Sequence, residues 1–309
     1  MRQLITLALV GFGAQLIDGS LGMAYGVSST SFLLLVGLTP AAASAAVHFA
    51  QIGTTVASGA SHWRLGNTDW RLVARIGIPG AIGAFAGATV LSRLSTAFAQ
   101  PVMALILGAL GLYILCRFAF RPPQVAQARR SPHGTRFLVP LGLVGGFIDA
   151  TGGGGWGPVT TTSLITAGRT SPRTVIGSVA TSEFLVTVSA SAGFLIALGT
   201  AGIDLRIVGA LLVGGIVAAP IAAWLVSRVP AQMLGVLVGG LIILTNTHTL
   251  LSTFHVPGGA VLPTYLGILV VWGSLVAFCV RRHRRSTPAV QDMDQTPEPE
   301  PEPEMISVH

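Results

Sequence analysis

The chain has 309 residues, 51% of them hydrophobic and only 9% charged, with a mean hydropathy of +0.72. Soluble domains carry about 25% charged residues, so this composition excludes an ordinary soluble fold and points to a membrane protein. The net charge of +7 comes from arginine alone, since there is no lysine. These arginines sit in short loops between apolar stretches, which is membrane sorting rather than nucleic-acid binding.

The first apolar stretch, 4–36, is interrupted by glycines and by Asp18 in LIDGSLGMAYG (16–26). Arg2 and LITLALV resemble the start of a signal peptide, but no small-x-small cleavage site follows, so the segment is read as mature protein. Spans are predicted at 42–61, 72–91 and 101–119, each near the 20 residues that cross a bilayer. On the first of these, His48, Gln51, Thr55 and Ser58 share one helical face. Histidine titrates near neutrality, which makes His48 a candidate proton relay; ordinary interhelical hydrogen bonds would also explain the hydroxyls. GNTDWRL (66–72) reads as a loop with Asp69 beside Arg71, and RPPQVAQARRSPHGTR (121–136) as a polar connector.

The second interrupted stretch, 137–167, contains FIDATGGGGWGP (147–158). Each glycine costs a helix about 1 kcal/mol relative to alanine, so Gly152, Gly153, Gly154 and Gly155 break it. A new helix is expected at Trp156-Gly157-Pro158, because proline suits a first turn. Free backbone N–H groups at a helix N-terminus bind anions without a cationic side chain. Gly152 to Gly155, Thr160 and Thr161 are therefore substrate-binding candidates, with Gly22 and Gly26 from the first stretch. Close packing of small residues is the other reading of these glycines.

Acids inside apolar segments are functional candidates by default. Asp149 suits two roles, a proton carrier favoured by removal from water or a cap on the broken helix, and Asp18 shares the choice. Further spans are predicted at 175–198, 205–227, 231–251 and 261–280. Glu183, Thr187 and Ser191 line one face of the first, so Glu183 joins Asp18, Asp149 and His48 as a proton-coupling candidate. Cys116 and Cys279 have no metal or disulfide spacing and read as buried, inert thiols. The tail from 284 ends in PEPEPEPE (297–304) and reads as disordered.

The chain repeats itself. LIDGSLGMAYG aligns with FIDATGGGGWG (147–157) without a gap, GNTDWRL matches AGIDLRI (201–207), and Ser92-Arg93-Leu94 matches Ser227-Arg228-Val229. If each Gly-rich stretch enters and leaves on one side, nearly all arginines, including Arg64, Arg71, Arg117, Arg169, Arg173 and Arg281, fall on the side of the C-terminus. Only Arg2, Arg93 and Arg206 fall opposite. By the positive-inside rule the C-terminus is then cytoplasmic, and the halves are inverted repeats with matched broken helices, as in secondary transporters. The expected architecture is an all-α polytopic membrane protein. Its parts are a first repeat at 1–120, a cytoplasmic connector at 121–136, a second repeat at 137–251, an extra helix at 252–283 and the tail at 284–309.

The Gly-rich hairpin, polar helix, GNTDWRL loop and LSRL (91–94), with FIDATGGGGWGP in the second half, resemble the TauE/SafE family over roughly residues 7–250. That resemblance implies a bacterial inner-membrane permease for sulfite and organosulfur anions, commonly an exporter, with the central anion site at Gly152 to Gly155. The first repeat departs from the family's fuller glycine cluster, keeping only Gly22 and Gly26. No P-loop, HExxH or GxSxG motif is present, so neither an enzyme nor a metal or cofactor is expected. Two functions are carried forward. One is secondary export of a small anion, sulfite or an organosulfonate, with proton coupling. The other is a non-transporting scaffold that recruits a partner through its tail.

Overall fold

The computed structural model describes residues 2–21, 23–120, 133–226 and 231–286. It is helical throughout, with no strand among the described residues. A broken pair, α1 (Arg2–Leu21) and α2 (Tyr25–Leu35), is followed by three long helices, α3 (Pro40–Arg64), α4 (Trp70–Arg93) and α5 (Thr96–Phe120). The pattern recurs. α6 (Thr135–Gly152) breaks, and the chain resumes through a π-helical turn (Gly157–Thr161) into α7 (Thr162–Ala167). Then come α8 (Pro172–Leu198), α9 (Leu205–Val226) and α10 (Ala231–Thr253), with α11 (Gly258–Ser286) last. Among the described residues five helices, α4, α5, α8, α10 and α11, are long and apolar enough to cross a bilayer. α3 has the length too, at 25 residues, but its apolar run is interrupted by the polar face. The chain is an all-α polytopic membrane protein.

The helix ends follow from their residues. Pro40 and Pro172 open α3 and α8, where a missing N–H is no loss. The Asp69 carboxylate caps α4 by accepting from Arg71 N at 2.9 Å and Leu72 N at 3.3 Å. The loop holding that cap is fastened across the molecule, because Asp69 N donates to the buried Ser178 Oγ at 2.8 Å. Ser178→Ala removes this tie between the exposed Asp69 backbone and α8 and is expected to cost about 1 kcal/mol, read as a lowered melting temperature in detergent.

Both broken segments turn back on themselves. Gly13 of α1 faces the Phe32 ring of α2, and Gly145 of α6 faces the Thr160 methyl beyond the second break. Each first arm packs on a helix from the other half of the chain: α1 lies against α9, and α6 against α4. Glycines set both approaches, Gly11 against the Leu211 backbone and Gly83 and Gly146 against Leu143 and Gly80. Small residues let helices in a membrane approach this closely. α3 pairs with α8 at the centre, α5 with α10 beside them. α11 adds to the edge, where Trp272 Nε1 donates to Val236 O at 3.0 Å. Cys279 is buried there, whereas Cys116 is exposed on the outer face of α5, which corrects the expectation of two buried thiols.

Candidate functional site

The two helix breaks meet. Gly154 stands at φ +158 with its backbone against Gly26 and Val27, where a Cβ could not be placed. Gly153 ends α6 in the left-handed conformation at φ 70, and its carbonyl accepts from Thr30 Oγ1. Gly152 packs on Ile106. The glycine run thus lets one break press on the other, as the packing reading describes.

The helix starts beyond the breaks are capped by the chain's own acids. Asp149 Oδ1 accepts from Trp156 N at 2.9 Å. Asp18 Oδ1 accepts from Ala24 N at 2.9 Å and Tyr25 N at 3.0 Å. One helix-start N–H at the second break and two at the first are therefore engaged by carboxylates. Thr160 Oγ1 donates to Trp156 O, and Thr160 and Thr161 are buried. Gly26 and Gly155 line a small cavity between the breaks; Gly22 lies outside the described residues.

Asp149 has a second partner. Its Oδ2 lies 3.1 Å from His48 Nε2, with the two side chains 1% and 0% exposed. His48 Nδ1 lies 2.8 Å from the Ser44 carbonyl, which can only accept, so Nδ1 carries a hydrogen. One more proton must then lie between Nε2 and Oδ2, on the ring or on the carboxyl; otherwise two lone pairs would face each other. Either way the pair is neutral overall and shares one proton. Ser44 Oγ donates to Ala150 O at 2.7 Å and ties α3 to the end of α6, while Phe194 packs on the ring at 5.9 Å between centroids.

Asp18, Asp149 and Glu183 converge on the small cavity with Gln51 and Trp156. Its volume is about 20 Å³, room for roughly one water molecule. Gln51 Nε2 donates to Glu183 Oε1 at 3.1 Å, joining α3 to α8 at the centre. Gln51 Oε1 is buried without a partner. Beyond Gln51 and Glu183 a second cavity of about 320 Å³ opens, bounded also by Asp18 and Tyr25. It continues along α3 past Thr54, Thr55 and Ser58 to His62, with Gln15 on its α1 side. No arginine lines it among the described residues, and no three His, Cys, Asp or Glu side chains there could share a metal ion.

Sequence reasoning named Asp18, Asp149, His48, Glu183 and Gln51, and the structure brings these together. It gave no site role to Gln15, Tyr25 or Ser44. Ser44 carried a signal, since it sits one helical turn before His48. Tyr25 carried one too, as the aligned partner of Trp156. Gln15 carried none, because one amide in an apolar helix has no pattern of its own.

The sequence matches a known family, described as "Sulfite exporter TauE/SafE", over residues 7–249. It is 50% identical over 283 residues to the "Probable membrane transporter protein YtnM" of Bacillus subtilis (strain 168), covering 91% of this chain and 94% of that protein. No solved structure matches the chain.

Proposed function

Because the chain belongs to the TauE/SafE family, we propose that this membrane transporter is a secondary carrier that exports sulfite or an organosulfonate across the bacterial inner membrane, linked to protons. The observation that carries this reading is the cavity of about 320 Å³ beside the first break, walled by Asp18 and Glu183 with no arginine among the described residues. Two like charges 4 Å apart repel by about 4 kcal/mol at an effective dielectric constant of 20. An anion therefore enters beside these carboxylates only as positive charge arrives with it. The His48–Asp149 pair holds a proton within the same cluster, and the small cavity connects Asp149 to Glu183.

The orientation supports loading from inside. The cavity runs toward His62 and the end of α3 at Arg64, and the positive-inside rule places that end and the C-terminus in the cytoplasm. The packing of α1 on α9 and of α6 on α4 supports two inverted halves exchanging positions about a central site. A carrier runs down its combined gradients, so accumulation of the anion inside drives export. One proton per monovalent anion removes the roughly 2.3 kcal/mol per 100 mV that a lone charge would gain.

The test uses proteoliposomes loaded with a pH dye. An imposed sulfite gradient is expected to shift the internal pH in step with anion movement, and Asp149→Asn is expected to lose that shift. Sulfite flux with no pH change in the wild type rejects proton linkage. The scaffold alternative depends on the tail, and residues 287–309 lie outside those described, so no structural observation favours it.

A further inference from the structure

The twin acids are not equivalent, and the difference identifies a ligand group. α3 and α8 both begin with proline, and Ala180 stands at the same step from Pro172 as His48 does from Pro40. On that register Ile176 corresponds to Ser44 and Glu183 to Gln51. Beside Asp149 the space is filled by the His48 ring, which sits on Oδ2. Beside Asp18 the corresponding residues are Ala180 and Ile176, and both line the cavity of about 320 Å³. The short Ala180 side chain thus leaves open space where the matched register carries a ring beside Asp149. Asp18 Oδ1 is used by Ala24 N and Tyr25 N, while its Oδ2 has no partner among the described residues.

The inner end of the cavity is rich in acceptors. Besides Asp18 it is lined by Glu183, Tyr25 and Gln51, whose Oε1, on a side chain 3% exposed, is buried without a hydrogen-bond partner. Asp149 meets a nitrogen donor in the same setting. The chemistry that satisfies Asp18, Glu183 and Gln51 together is thus a compact group carrying several N–H donors and a positive charge. An ammonium has three such donors and no acceptor. Farther along, the Gln15 amide, the Ser58 hydroxyl and the His62 ring line the cavity and could donate to an anionic end.

We propose that this cavity binds an organosulfonate bearing an amino group, with its ammonium held by Asp18, Glu183 and Gln51 Oε1 in the place His48 occupies at Asp149. This rests on the reading that an organosulfonate enters the cavity. The ammonium then supplies the positive charge that a simple anion must obtain from a proton.

The test compares 2-aminoethanesulfonate, ethanesulfonate and ethylammonium by the thermal stabilisation each gives the purified full-length protein in detergent. At least tenfold tighter binding of 2-aminoethanesulfonate than of either single-charge compound supports the proposal. Equal binding of the two sulfonates overturns the ammonium subsite but leaves the anion reading standing. Equal binding of ethylammonium makes the cavity a plain cation site and overturns the proposal. No binding of any of the three overturns the proposal and the organosulfonate reading together. Asp18→Asn, which keeps an oxygen for the cap, is expected to weaken binding at least tenfold. Ala180→His, which refills the cavity as His48 does at the twin, is expected to melt like the wild type and to lose binding. Wild-type affinity in Ala180→His contradicts the assignment even if Asp18→Asn fails to fold.

Discussion

Asp149→Ala is expected to yield little folded protein. The side chain is 1% exposed and joins two elements, through Oδ1 on Trp156 N at the second break and Oδ2 on His48 Nε2 of α3. Alanine leaves a buried imidazole and a buried N–H without their acceptor. Removing one partner of a buried pair costs about 3–5 kcal/mol, a large part of the 5–15 kcal/mol that holds a typical protein folded. Asp18→Ala is the control. It removes a carboxylate that caps Ala24 N and Tyr25 N but pairs with no histidine, so the loss should be near the roughly 1 kcal/mol of a cap. Melting temperatures of the two variants in one detergent decide the matter. Equal losses would mean that the His48 contact contributes nothing to stability.

Gly154→Val carries the second large effect. Its φ of +158 disfavours a side chain, and a Cβ there would overlap the backbone of Gly26 and Val27. The neighbouring Gly153 is anchored by Thr30 through its carbonyl, so the loop cannot slide aside without releasing that bond. Overpacking alone costs about 1–3 kcal/mol, and an unfavourable backbone conformation adds about 1–3 kcal/mol. Gly168→Ala offers the comparison, with a positive φ of 65 but open space around the new methyl, so only the backbone cost applies. A fluorescence-detected sizing profile should show the Gly154 variant aggregated and the Gly168 variant monodisperse. A monodisperse Gly154→Val would mean that the two breaks do not press together.

Much of this fold could be read from the sequence because a bilayer simplifies the question. Runs of about 20 apolar residues between arginines are helices with few alternatives, and the predicted spans 72–91 and 175–198 lie within α4 and α8. The breaks were visible for the same reason, since four glycines beside an acid have no place in an unbroken span. The use of the glycines was less legible. Composition shows that backbone N–H groups come free at a break but not what takes them, and here Asp18 and Asp149 take those of Ala24, Tyr25 and Trp156. The meeting of the breaks is a tertiary contact between residues more than a hundred positions apart, Gly26 and Gly154. His48 was a candidate by its chemistry, yet its value comes from facing Asp149, a pairing that periodicity along one helix cannot express. The asymmetry between His48 and Ala180 needed both the repeat and the cavity. The repeat supplies the register, and the cavity shows what the smaller side chain leaves open.

The central claim is that a sulfur-bearing anion crosses the membrane through the cavity beside Asp18, Gln51 and Glu183. Flux of labelled sulfite and labelled organosulfonates in proteoliposomes of the purified chain, with protein-free vesicles as the blank, tests it most directly. Saturable flux, strongly reduced in Glu183→Leu protein that still melts cooperatively, is the predicted result. Flux no greater than in protein-free vesicles for every anion tried would contradict it.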